Sequence, residues 1–292
     1  MTTTLAPAKV NLFLHVGPPD ATGYHPLCSL MAFADFGDRL SLAAADAMDL
    51  VVDGPFARGL SGEGDNLVLK AARALIAEAR RPVPPVGFRL EKRLPVASGL
   101  GGGSSDAGAA LRLMRDELGL PVSDERLEAV AASLGADGAA CLWGRPVIAE
   151  GYGERLSPAP ELPVLDAVLV NPGVAVSTPE VYRRLDADRA FGAVERPPMP
   201  DRLESSQETA AWLAGLRNDL EDAAVAVASD VGTVLETLRG EPETLLARVS
   251  GSGGTCFALC ASDIEAEGLA ERLEALAPSW WVRRCRLGGP WA

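Results

Sequence analysis

Residues 95–106 read Pro95-Val96-Ala97-Ser98-Gly99-Leu100-Gly101-Gly102-Gly103-Ser104-Ser105-Asp106. Four glycines in five positions free the backbone to approach an anion closely, and several N–H groups can converge on one point. The sequence beyond predicts a helix over about 105–118, with Leu111, Met114 and Leu118 on one stripe. The positive end of that helix faces the same place, and Ser104 and Ser105 add hydroxyl donors or a magnesium contact. The double serine at a helix start favours a phosphate cradle over a flexible turn that uses serine only as a cap.

Three common glycine loops fail on particular residues. A P-loop needs Gly-Lys-Ser/Thr, and no lysine follows these glycines. A dinucleotide loop needs a third small residue where Gly99-x-Gly101-x-x-Ser104 has serine, and Lys92-Arg93-Leu94-Pro95 makes a poor core strand end. A protein kinase would carry His-Arg-Asp and Asp-Phe-Gly elements that are absent here.

Upstream of the loop, Val10, Leu12, Leu14 and Val16 alternate with Lys9, Asn11, Phe13 and His15, which predicts a strand with Lys9 and Asn11 on one face. Breakers fill 17–23, and strands are expected at 27–34, 39–45, 48–53 and 86–92, with helices at 66–79 and 124–134. Pro158, Pro160 and Pro163 mark a linker, so a domain boundary is expected near 157, giving units 1–157 and 158–292. The second unit predicts strands at 165–170, 255–260 and 281–287. Its helices are expected at 178–186, 206–215, 219–239, near 242–247 and at 263–276, with a loose proline-rich stretch at 190–205. Without a regular βαβ rhythm, the class is α+β.

Composition bounds the function. The 292 residues are 48% hydrophobic, enough for about two domains with real cores. A net charge of −13 excludes a nucleic-acid surface but not an anionic small molecule held by local cations and backbone N–H groups. The longest apolar stretch, 162–176, is interrupted by Asp166, Asn171 and prolines, short of the roughly 20 apolar residues of a membrane span. Five cysteines form no CxxC pair, as expected of reduced thiols in a cytoplasm, and two histidines offer little for zinc. Basic residues are nearly all arginine; the lysines are Lys9, Lys70 and Lys92.

Pro95-x-x-x-Gly99-Leu100-Gly101-x-x-Ser104-Ser105 resembles the phosphate loop of the small-molecule kinases related to galactokinase, homoserine kinase and mevalonate kinase. Further stretches are similar to one branch, the 4-diphosphocytidyl-2-C-methyl-D-erythritol kinases. They are Pro7-Ala8-Lys9-Val10-Asn11-Leu12-Phe13-Leu14, Gly23-Tyr24-His25-Pro26-Leu27, Leu134-Gly135-Ala136-Asp137 and Glu150-Gly151-x-Gly153-Glu154. Asn171-Pro172-Gly173-Val174 and Arg217-Asn218-Asp219-Leu220 complete the set, in family order along nearly the whole chain.

The resemblance implies an N-terminal ATP-binding domain of the ribosomal protein S5 domain 2-like type and a C-terminal ferredoxin-like domain, with the active site between them. It implies ATP as co-substrate with Mg2+, and a small-molecule substrate carrying a cytidine diphosphate whose C2 hydroxyl is phosphorylated on the non-mevalonate route to isoprenoids. The family's catalytic lysine and aspartate fall on Lys9 and Asp137. Phosphoryl transfer needs a group for the hydroxyl's proton and charge compensation, though this pair leaves open whether the aspartate removes the proton or mainly orients the hydroxyl. Residues 95–105 would hold ATP, with Asn66 and Lys92 near its adenine and phosphates. Tyr24, His25 and Tyr182 would hold cytosine by stacking and edge contacts. Asn11 and Thr178 would touch substrate, and Gly251, Ser252 and Gly253 its phosphates. No side chain is assigned to the metal. After Asp137 this chain carries Gly138-Ala139-Ala140-Cys141 where the family has Val-Pro, which predicts a loosened turn. The alternatives are a homoserine or mevalonate type of kinase, or a nucleotide-binding dehydrogenase or regulatory domain.

Overall fold

The computed structural model describes residues 1–60 and 66–291. Strand β1 (Thr2–Val16) runs antiparallel to β2 (Leu27–Ala44) along its whole length, from Thr2 opposite Leu42 to Val16 opposite Leu27. The alternation of β1 is broken twice, by register shifts between Pro7 and Lys9 and between Asn11 and Phe13. Such bulges bend a strand and re-aim its side chains. Here they bracket Lys9 and Asn11.

The far edge of β2 is divided among three partners. Its first residues pair with β5 (Val147–Gly151), Phe33 and Ala34 meet β10 (Trp281–Gly288), and Arg39–Ala44 pair with β4 (Val86–Glu91). Strand β3 (Asp49–Asp53) lies parallel to β4, joined through α1 (Leu67–Ala79), while β6 (Arg155–Pro158) closes a hairpin with β5. Helices α1, α2 (Gly102–Glu117), α3 (Asp124–Ser133) and α4 (Gly138–Trp143) pack on this sheet through Leu75, Leu90, Leu111, Met114 and Leu142.

The C-terminal half contains β7 (Leu165–Asn171), α5 (Thr178–Asp188), α6 (Ser206–Ala214), α7 (Glu221–Val227), α8 (Ser229–Gly240), β8 (Leu246–Val249), β9 (Cys256–Leu259) and α9 (Asp263–Leu276). With β10 its strands lie antiparallel in the order β10-β7-β9-β8, the β-α-β-β-α-β ferredoxin-like arrangement. Val168, Val170, Leu235, Leu269 and Leu273 form its core under the helices. Because β10 also meets β2, ten strands among the described residues join in one sheet. The fold is α+β, as expected. No described helix is long and apolar enough to cross a membrane.

Several boundaries differ from the sequence expectation. The segments 27–34 and 39–45 form one strand, since β1 pairs with it on both sides of a bulge, Lys9 opposite Phe33 and Pro7 opposite Gly37. The helix expected near 242–247 gives way to β8: Ala247 and Val249 are buried, and pairing with β9 overrides local helix preference. The helix expected at 219–239 breaks at Ala228, whose backbone is extended. Helix α2 starts at Gly102, before its first apolar residue, because the Ser105 N–H already finds the Gly101 carbonyl.

Candidate active site

The loop before α2 has positive φ at alternate residues: Ala97 at 50°, Gly99 at 76° and Gly101 at 63°. Alternating handedness turns successive N–H groups to one side, which makes an anion-binding concavity, and Ala97 adopts that conformation despite its Cβ. Behind the loop lies a second glycine-rich stretch, Ser250-Gly251-Ser252-Gly253-Gly254. A Cβ on Gly99 would strike the Ser250 and Gly253 carbonyls, and one on Gly254 would come within 2.9 Å of the Ser98 Cα. The two segments therefore touch backbone to backbone. Ser250 Oγ donates to the Gly99 carbonyl at 3.1 Å and accepts from the Asn11 N–H at 3.3 Å.

Strand β1 joins the same cluster. The Lys9 N–H donates to the Leu100 carbonyl at 2.8 Å, and its ammonium lies 2.7 Å from Asn11 Oδ1 and 3.2 Å from Asp137 Oδ2. Asn11 is oriented in turn by donating to Ser29 Oγ at 2.8 Å, and that hydroxyl donates to the Phe13 carbonyl. Lys9 is buried, whereas the Asp137 side chain remains 32% exposed, so the carboxylate presents the open face of the pair. Asp137 sits at the start of α4, where its carbonyl accepts from Cys141 N–H. The departure at Gly138 has a steric reason: a Cβ there would collide with the Ala131 carbonyl of α3. The segment expected to be loose is a short helix pressed onto its neighbour. Burial pushes the Cys141 thiol up to about 12, which leaves it unreactive.

Lys92 is buried between two carboxylates, Asp38 and Asp106, the latter at 2.8 Å. Burial alone would depress the lysine, but Asp106 and Asp38 outweigh it and hold it above the ordinary lysine range. Burial in turn drives Asp106 above the ordinary carboxylate range, against the pull of Lys92. Asp38 Oδ1 also accepts the N–H groups of Arg93 and Leu94, at 2.6 and 2.9 Å. This cluster pins the entry to the phosphate loop. Asp106 Oδ1 is buried with no hydrogen-bond partner among the described residues.

One cavity of about 920 Å³ unites these groups. Lys9, Asn11, Asn66, Lys92, most of the loop 95–104, Asp137, Thr178, Gly251 and Ser252 line it. Asn66 caps α1 by accepting from Val68 N–H, and Thr178 Oγ1 and Ser252 Oγ share a 2.7 Å bond. Leu100, Ser105 and Gly253 do not reach the cavity; Leu100 is core, Ser105 lies buried in α2, and Gly253 sits against Ala224.

At the other end, His25 Nδ1 lies 2.8 Å from the Gly17 carbonyl, an acceptor, and so carries a hydrogen, while Nε2 lies 3.3 Å from Asp186 Oδ1. The Tyr182 ring tilts against His25 at 4.9 Å, and its phenol is pushed up to about 12 by burial and by Asp137. Tyr24 is 67% exposed at the rim, edge-on to Tyr152 at 6.1 Å. Tyr152 and Asp186 are wall residues that the sequence reading passed over, though Tyr152 is the chain's third tyrosine and stands in a quoted motif. His15 lies off the cavity. The arrangement offers an anion cradle, a buried ammonium with an open carboxylate, and a polar aromatic slot in one space.

Comparison with known proteins agrees in extent and order. Residues 66–145 match the family described as GHMP kinases N terminal domain, and residues 202–278 the family GHMP kinases C terminal. A 4-diphosphocytidyl-2-C-methyl-D-erythritol kinase of Caulobacter vibrioides is 63% identical over 286 residues, 98% of this chain and 99% of the relative. A crystal structure of 4-(cytidine 5'-diphospho)-2C-methyl-D-erythritol kinase superposes with a TM-score of 0.79 at 34% identity, covering 99% of this chain and 100% of the other. L. major mevalonate kinase in complex with R-mevalonate superposes with a TM-score of 0.67 at 17% identity, covering 100% and 97%, a likeness of fold.

Proposed function

Because the chain belongs to the GHMP kinases, and among them to the 4-diphosphocytidyl-2-C-methyl-D-erythritol kinases, we infer that its cavity transfers the γ-phosphoryl group of ATP to the C2 hydroxyl of 4-diphosphocytidyl-2-C-methyl-D-erythritol. The products are ADP and the 2-phosphate, an intermediate of the non-mevalonate isoprenoid route. The observation that carries the residue roles is the 3.2 Å Lys9–Asp137 pair, set in one cavity with both the glycine cradle and the aromatic slot.

In this reading the loop 95–104 holds the triphosphate through converging N–H groups and the N-terminal end of α2. Asn66 and the pinned Lys92 border the nucleotide. Tyr24, His25 and Tyr182 hold the cytosine, and Gly251 and Ser252 border the substrate's phosphates, with Thr178 bonded to Ser252. Asn11 orients Lys9 and faces the methylerythritol hydroxyls. Asp137 takes the proton of the C2 hydroxyl as that hydroxyl's oxygen bonds to the γ-phosphorus and the bond from the γ-phosphorus to the ADP oxygen breaks. Lys9 compensates the developing charge from its buried position.

Magnesium suits the same corner: Ser104 and Asp106 line it, and Asp106 Oδ1 is a buried acceptor without a partner among the described residues. Those two residues would hold the ion alongside phosphate and water, and when bound it would neutralise phosphate charge. A division of the chain near 157, supported by the linker prolines, assigns the ATP side to 1–157 and the ferredoxin-like half to 158–292. Five buried free thiols favour a cytoplasmic setting.

The test is ADP release from ATP and magnesium with 4-diphosphocytidyl-2-C-methyl-D-erythritol, homoserine or mevalonate as acceptor. Turnover is expected with the first alone. Release driven equally by homoserine or mevalonate would overturn the substrate reading.

A further inference from the structure

The turn between β5 and β6 carries Tyr152 on the cavity rim. Gly151 and Gly153 on either side have φ of +71° and +105°. A Cβ on Gly151 would run into the Glu154 carboxylate, and one on Gly153 would come within 3.0 Å of the Ala136 carbonyl. The turn is thus seated against the residue preceding Asp137, and Glu154 Oε2 fixes it further by accepting the Tyr152 N–H at 2.6 Å.

From that seat the Tyr152 phenol donates to Asp20 Oδ2 at 2.5 Å. Asp20 organises the neighbouring loop: its Oδ1 accepts from Thr22 N–H, Thr22 Oγ1 and Tyr24 N–H, and its own N–H donates to the Tyr24 carbonyl. All those bonds are internal to the loop. For residues 18–24, the phenol supplies the one hydrogen bond to another element among the described residues. The Tyr152 ring also meets the exposed Tyr24 ring edge-on, at 69° between planes.

We propose that Tyr152 is a positioning residue for the base-binding end of the cavity: it latches the Asp20 loop so that Tyr24 stands ready to stack, and its ring extends the aromatic wall. The proposal rests on reading that end as the cytosine side. The latch is a hydroxyl-to-carboxylate bond, short and charge-assisted. Its seat on Ala136 gives the base end a direct mechanical contact with the connection between α3 and α4 that carries Asp137.

Titration of CDP into the wild type and Tyr152→Phe, with KM values for ATP and for the diphosphocytidyl substrate, tests it. Removing the hydroxyl while keeping the ring is expected to weaken CDP roughly fivefold to tenfold and to raise the substrate KM by a similar factor. The KM for ATP should hold within about twofold, a split that a general loss of structure would not give. Asp20→Asn, which leaves the phenol a weaker partner, should shift CDP in the same direction. Unchanged CDP affinity in Tyr152→Phe, or equal weakening of CDP and ATP, would overturn the latch. A wild type that turns over ATP but does not bind CDP would overturn the cytosine reading itself, and the latch with it.

Discussion

His15 shows how far a single residue departs from what its type suggests. It sits in the first strand a few residues from Lys9, yet both ring nitrogens are buried without hydrogen-bond partners among the described residues. Burial, then the Arg217 guanidinium, lowers its pKa from the ordinary 6.5. The unfolded chain therefore binds this proton more readily than the folded one, so stability falls as the pH drops through the ordinary histidine range. His15→Phe, beside the Phe13 ring at 5.0 Å, removes that titration. The melting temperature of the wild type should fall more than that of the variant between about pH 7.5 and about pH 5.5. Equal losses would assign the acid sensitivity elsewhere. Alternation alone placed His15 in the strand, but no pattern in one strand reports the charge of Arg217, whose carbonyl accepts the neighbouring Leu14 N–H from two hundred residues away.

Elements were legible where their signal is local. The glycine run, the breaker cluster after Val16 and the stripe of α2 all sit where the residues imply. Segment 246–249 was not legible, because its identity as a strand comes from β9 and not from its own four residues. The two glycine segments make the same point for the site. Each is visible in the sequence, but their contact across Gly99, Ser250 and Gly254 is a property of the folded chain. Gly99→Ala must place a Cβ on the Ser250 carbonyl while holding φ near +76°. Overpacking and strain of this kind cost on the order of 1–3 kcal/mol. The expected result is a KM for ATP raised roughly tenfold, since each ~1.4 kcal/mol is a factor of ten, with a lowered melting temperature. An ATP KM within about twofold of the wild type at unchanged stability would mean the segments do not brace one another.

At the scale of the whole molecule, fold class and family were readable because ordered motifs run through nearly the entire chain. The continuous sheet was not, since it depends on β10 returning from the C-terminus to meet Phe33 and Ala34 of β2. That return, with β1 running beside β2, sets the glycine segment before β9 against the loop before α2. The central claim is that the fold makes one chemical unit of two groups 128 positions apart, Lys9 and Asp137. A double-mutant cycle on turnover, with Lys9→Met, Asp137→Asn and both together, tests it most directly. Each single change should cost roughly 10²–10⁴-fold in kcat with nucleotide binding retained, and the double variant should be no slower than the worse single. Near-normal turnover in Asp137→Asn, or losses that multiply in the double variant, would contradict the account.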